Sequence, residues 1–183
     1  MTDWVAEPSS RFTALVGERI EAWAGVEMAL RENVAGNGPQ FTDPDVPCLQ
    51  LLELQARVGT DTSLSVGTYQ NNDLFGLYCR PASEFRDAEH WDGIYRWRSL
   101  PELPTGLVER VAVFSDEDVL AEAHLRIGGR PLVLLAGELE EHYTGELIFQ
   151  RLDESVLAFL DPAAADRLPW NTSREGCVEY ASV

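Results

Sequence analysis

Residues 84–98, EFRDAEHWDGIYRWR, gather Asp87, Glu89, His90 and Asp92 in one short segment and follow them with Tyr95, Arg96, Trp97 and Arg98. A histidine among carboxylates has the makings of a general base or a metal ligand, because a carboxylate orients the imidazole and raises its basicity. The spacing meets no recognised metal-binding pattern, so a solvated loop histidine is the simpler reading, and neither a metal nor a cofactor is expected. Alternation along an extended segment places Tyr95 and Trp97 on one face and Arg96 and Arg98 on the other. Two guanidinium groups in so acidic a chain either neutralise neighbouring carboxylates or, with Trp91 and the other aromatics, form a flat patch of hot-spot composition.

A second cluster is GELEEHY, residues 137–143, with Glu138, Glu140, Glu141 and His142. It lacks the leading histidine of an inverted zinc motif. On a strand Glu138 and Glu140 share a face and Glu141 takes the other, so a solvated strand end is expected. His124 stands between Glu122 and Arg126 on a mixed polar face.

The third stretch, YQNNDLFGLYCR at 69–80, reads as a corner. Asparagine tolerates the positive φ of a tight hairpin turn, and a turn at Asn71-Asn72 puts Leu64, Val66 and Thr68 on one face with Phe75, Leu77 and Cys79. That register sets Gly67 against Gly76, with Tyr69 and Tyr78 beside the bare backbone, where a ligand or a close-packed neighbour fits.

All fourteen basic residues are arginine. Without lysine there is no P-loop lysine, Schiff-base lysine or S-x-x-K nucleophile, and G-x-S-x-G, G-x-G-x-x-G and H-E-x-x-H are absent too. Cys48, Cys79 and Cys177 are odd in number and far apart, which suggests neither a disulfide framework nor a zinc site. Against these arginines stand 31 acidic residues, a net charge of −17. Such a field opposes phosphate backbones and anionic membrane surfaces, so a nucleic acid or a membrane is not expected as partner, whereas a basic protein is. No signal-peptide pattern or membrane-length apolar run is evident, so a cytoplasmic location is expected.

The elements that must position these residues follow from periodicity. Phe12, Leu15, Val16, Ile20, Trp23, Val26 and Leu30 recur at steps of three and four, which predicts one long N-terminal helix ended by the glycine-rich stretch 33–39. From Pro47 the period becomes two. Leu52 to Val58, Ile94 to Leu100, Leu107 to Phe114, Val119 to Ile127 and Arg130 to Glu138 read as strands, with Gly128-Gly129 turning between the last two. Residues 115–123 also fit a capped helix, but unbroken alternation to Ile127 favours the hairpin. Glu146 to Leu152 and Val156 to Leu160 read as a final hairpin around Asp153-Glu154-Ser155, and Asp161-Pro162 opens a short helix.

The expected fold is α+β: a long N-terminal helix packed on a curved, mainly antiparallel sheet of eight or nine short strands, with a short C-terminal helix. One domain spans 1–170 and a polar tail spans 171–183. The expected function is a non-enzymatic protein-binding module, an inhibitor or immunity-type protein against a basic bacterial protein, using Tyr69, Tyr78, Asp87, His90, Trp91, Tyr95, Arg96, Trp97 and Arg98. The competing readings are a small-molecule binder or enzyme with a pocket on the sheet near His90, and a homodimer subunit.

Overall fold

The computed structural model describes residues 4–183. Among them are helix α1 (Ala6–Thr13), strands β1 (Arg19–Met28), β2 (Cys48–Val58), β3 (Thr62–Asn71), β4 (Leu74–Ala82), β5 (His90–Asp92), β6 (Tyr95–Ser99), β7 (Gly106–Asp116), β8 (Val119–Ile127), β9 (Arg130–Glu141) and β10 (Leu147–Phe159), helix α2 (Pro162–Arg167) and strand β11 (Val178–Ser182). Strands account for 56% of the chain and helices for 9%, so the architecture is all-antiparallel β rather than α+β.

The long N-terminal helix does not form. Helix α1 covers eight residues, and Gly17, at φ 87°, redirects the chain into β1. β1 buries both faces, with Ile20, Trp23, Ala24, Val26 and Glu27 all inside. Two buried faces erase the alternation of a half-wet strand, and the apolar residues left over fall at helix-like spacings. Gly25 shows how tightly β1 is sandwiched: a Cβ there would lie 2.9 Å from the Glu53 carbonyl oxygen and 2.9 Å from Leu100.

β1 also closes the sheet. Its partners are β2 along most of its length and β7 at Arg19 and Ile20, while β2, β10, β9, β8 and β7 pair in succession. The ring of six strands is completed by backbone bonds from Val108 N to Glu18 O (2.8 Å) and from Gly17 N to Val108 O (2.9 Å). Closure removes the exposed edges those strands would otherwise present. Two hairpins branch from the ring: β3–β4 extends from β2, and β6–β5 extends from β1.

The interior is filled by alternate residues of the ring, among them Leu54, Val111, Ala123, Leu125, Leu132, Leu134 and Val156, together with Val66, Leu77 and Cys79 from the β3–β4 hairpin, which folds over β8. α1 plugs the gap between β4 and β7 with Phe12. The outer face of β9 and β10 is buried as well, under Leu30, α2 and Trp170. Thus β9 reads as an unbroken apolar run, Leu132 to Ala136.

The β8–β9 hairpin has the expected register, with Leu125 opposite Leu132 and Ala123 opposite Leu134, and Asp161 caps α2 by accepting from Ala163 N. Two expectations give way. Leu147–Phe159 is a single strand: Arg151 pairs with Gly137 and Val156 with the adjacent Ala136, so residues 152–155 bulge out, with Leu152 at φ 57°. The polar run that resembled a turn is therefore a bulge over continuous pairing with β9. The β3–β4 turn is Asn72-Asp73, one position beyond the expected Asn71-Asn72, so Asn71 faces Leu74, and Gly67 faces Tyr78 rather than Gly76. The register thereby shifts by two, which keeps every side chain on its expected face but exchanges partners across the ladder. In the stretch 171–183, Val178–Ser182 pair with β7.

Candidate functional site

The β5–β6 hairpin carries most of the residues singled out by composition. His90 pairs with Trp97 and Trp91 with Arg96, and β5 is the last strand of the sheet, three residues long and exposed throughout. Trp91 is 58% exposed, yet its ring is fixed, with Nε1 donating to Gly93 O (2.9 Å) and an edge contact to Phe41. Asp87 lies exposed in the loop before β5. No ion pair joins His90 to a carboxylate among the described residues; its ring instead lies 5.2 Å from that of Trp97. A concavity of about 410 Å³ lies beside it, lined by Glu89, His90, Trp91, Arg96, Trp97 and Arg98.

The two arginines of that concavity are committed. Glu27 on β1 is a buried carboxylate that accepts from Arg96 Nε (2.8 Å), Arg98 Nε (2.6 Å) and Arg98 NH2 (2.9 Å). Arg98 also donates to Glu102 (2.5 Å), and Arg96 lies over the Phe41 ring. These contacts hold the β6 hairpin on β1 and leave little guanidinium capacity for an external carboxylate.

Tyr69 and Tyr78 cover the glycines across the β3–β4 ladder. A Cβ on Gly67 would lie 2.5 Å from the Tyr78 hydroxyl, and one on Gly76 would lie 2.7 Å from the Tyr69 ring. The tyrosines thus fill the bare backbone that sequence spacing marked as a place for a neighbour. They do not join the β5–β6 group: Tyr69 stacks on Trp4 and Tyr78 lies under Arg80, beside α1.

A third site gathers residues that periodicity treated as a solvated strand end. Met28, Leu30, Glu32, Ile94, Glu138, Glu140, Glu141 and His142 line a groove of about 450 Å³. Ile94 belongs to the β5–β6 turn, and its carbonyl accepts from Ala29 N, so one hairpin serves both this groove and the Trp91 surface. Glu138 accepts weakly from Ser155 Oγ (3.4 Å) and Glu140 accepts from Gln150 Nε2 (3.1 Å). Among the described residues no arginine pairs with Glu32, Glu138, Glu140 or Glu141, whereas nine arginines pair with carboxylates elsewhere. Burial, with repulsion from Asp153, Glu154 and Glu140, raises the Glu138 carboxyl above its ordinary value. No group of three or more His, Cys, Asp or Glu among the described residues is arranged to hold a metal ion. The groove suits an organic cation such as a guanidinium or ammonium.

The densest charge cluster is elsewhere, and of its members the sequence marked only His124 with its neighbour Glu122. Glu122 on β8 accepts from Arg174 Nε (2.8 Å) and NH2 (2.6 Å) and contacts His124 Nε2 at 2.8 Å. Arg151, its side chain fully buried at the β10 bulge, lies 3.0 Å from Asp116 and 3.9 Å from Glu122, and donates to Ser173 O. Burial alone would raise the Glu122 carboxyl, but His124 and Arg174 outweigh it and hold the group at about 2. Because the partners come from positions 116, 122, 151 and 174, no local spacing announces them. The cluster ties the C-terminal segment to the barrel.

Among the described residues no helix is long and apolar enough to cross a membrane. Comparison with known protein families, with curated proteins and with solved structures finds no match for this chain.

Proposed function

We propose that the chain is a non-enzymatic binding module that receives a basic protein in the acidic groove between the ends of β1 and β9 and the tip of the β5–β6 hairpin. The observation that carries this reading is the groove's uncompensated charge. Four glutamates line it, and among the described residues none of them pairs with an arginine, in a chain that pairs most of its arginines elsewhere. Apolar walls from Met28, Leu30 and Ile94 suit the stem of an arginine or lysine whose head reaches the carboxylates. Beside the groove, Trp91 offers an exposed aromatic held in one orientation, the type of residue that anchors interfaces. The net charge of −17 would steer a basic partner towards this face.

An inhibitor or immunity-type role against a basic bacterial protein is the concrete form of this proposal. The alternative of a catalytic pocket near His90 is less well supported, because that concavity lacks a histidine–carboxylate pair and its arginines are engaged by Glu27. The test is capture from the source lysate with wild type and with the Glu138→Gln, Glu140→Gln, Glu141→Gln triple variant. A basic protein held by wild type at low salt, released at high salt and not held by the variant is the expected outcome. Equal retention by both proteins contradicts the groove as the docking site.

A further inference from the structure

The C-terminal segment is held to the barrel in two different ways, and the boundary falls at Cys177. Up to that residue the hold is made mostly by side chains. Asn171 N donates to Phe149 O (2.9 Å) and Asn171 Oδ1 accepts from Arg151 N (2.9 Å), Arg151 donates to Ser173 O (2.7 Å), and Arg174 donates to Glu122 (2.8 and 2.6 Å) and to Asp166 (2.5 Å). Cys177 packs against the buried Val119, Ala121 and Leu152. Although burial raises it, the Glu122 carboxyl is held at about 2 by His124 and Arg174, so this anchor keeps its charges through the neutral range. Beyond Cys177 the hold is backbone. β11 pairs with β7 on one edge, from Val178 opposite Ser115 to Ser182 opposite Ala112, and Val183 and Val111 exchange both of their backbone bonds (2.9 and 3.0 Å). Among the described residues no side chain from Val178 to Val183 makes a hydrogen bond or an ion pair. Val178, Tyr180 and Val183 are exposed, and of this strand only Ala181 packs against the core.

We infer that β11 is a hinged strap, which lifts off β7 as a unit about the Cys177–Val178 bond while the Arg174 anchor stays closed and the barrel stays folded. Burial of apolar side chains is what offsets the entropy of ordering a strand, and β11 offers the core little more than the methyl group of Ala181. Its backbone bonds are replaced by bonds to water on opening, so their net hold is small. Ala181 sits between the bulge at Glu179 and the Val183 pair, so the strand stays down while that contact holds and leaves together once it is lost. The strand beneath does not follow. Val111 and Val113 are fully buried, and β7 is paired with β8 along its other edge, from Arg110 opposite Arg126 to Phe114 opposite Glu122. Opening therefore lays bare the backbone of β7 from Val111 to Ser115 without loosening its side chains, and the strap is the cover of an otherwise unpaired sheet edge. The strap shares no residue with the acidic groove, so the two readings stand or fall independently.

The test is native-state amide hydrogen exchange on the full chain, read by NMR. Along β7 successive amides point to opposite edges: Val111 and, by alternation, Val113 face β11, whereas Arg110 and Ala112 face β8. After correction for intrinsic rates, the amides of Val111, Val113, Ala181 and Val183 are expected to exchange at one common rate, about a hundredfold or more faster than those of Arg110 and Ala112. Asn171, on the anchor side of the hinge, belongs with the slow set. Low urea should speed the slow set and leave the strap amides unchanged, because only global unfolding exposes much surface. Val156→Ala, which weakens the buried core, should do the same. Protection of Val111 and Val113 equal to that of Arg110 and Ala112 overturns the strap. So does a rate that falls off steeply from Val183 to Ala181, which is fraying of a chain end. Exchange of Asn171 in step with β11 overturns the hinge at Cys177.

Discussion

Glu122 and Glu138 lie on neighbouring strands, and burial acts on both, but their surroundings take them in opposite directions. Glu122 is held at about 2 because His124 and Arg174 outweigh desolvation. The unfolded chain keeps that group near about 4.3, so the folded state gains stability that is full above this value and fades as pH falls towards 2. Glu122→Gln takes away the carboxylate that both Arg174 nitrogens bond and is expected to cost about 3–5 kcal/mol at pH 7 by urea denaturation, with a flatter pH dependence between about 4.5 and 2. Glu138 is raised, so its folded form binds a proton more tightly than the unfolded form does. It lowers stability as pH rises through the carboxylate range, and the penalty is complete above its raised value. Glu138→Gln should therefore stabilise the free protein at pH 7 by a few tenths of a kcal/mol and give no gain at pH 3, measured as shifts in denaturation midpoint. A residue that weakens the free fold and strengthens binding is the pattern expected of a docking carboxylate. Neither behaviour was legible in the residues alone. His124 stood visibly between Glu122 and Arg126, but its working partner is its near neighbour Glu122, locked from afar by Arg174.

At the scale of elements, the β3–β4 hairpin depends on two glycines roofed by tyrosines. Gly76→Ala would drive a methyl group to within 2.7 Å of the Tyr69 ring and 2.9 Å of Val119. The expected cost is about 1–3 kcal/mol, together with loss of the Trp4–Tyr69 stack, observable as a change in near-ultraviolet circular dichroism. Alternation made this hairpin legible although its turn falls one position beyond the expected one, and turn chemistry marked β8–β9 and the Asp161 cap. β1 was not legible, since its two buried faces imitate helical spacing. Nor was β10, because a bulge and a turn use the same polar residues, and only the partner strand distinguishes them. Closure of the ring is a long-range property: Gly17 and Val108 meet across 91 positions of sequence, and no local pattern reports it.

For the whole molecule, the charge of −17 underlies the proposal of a basic partner but does not say where such a partner would dock. The aromatic and arginine content of residues 84–98 marked the β5–β6 hairpin, yet Arg96 and Arg98 are spent on Glu27, while the open carboxylates lie at the end of β9 beside that hairpin's tip. Sequence could not make the distinction, because it shows which charges exist and folding decides which are paired. The groove reading separates from mere bulk attraction by comparing two variants of equal net charge: Glu138→Gln, Glu140→Gln, Glu141→Gln in the groove, and Asp61→Asn, Asp73→Asn, Glu179→Gln at exposed positions elsewhere. The decisive measurement is calorimetric titration of both variants and wild type with an oligo-arginine peptide at low and at physiological salt. The account predicts that the groove variant loses about tenfold or more in affinity while the matched variant stays close to wild type. Equal weakening of the two variants would mean that the peptide senses only net charge, and would contradict the groove as a binding site.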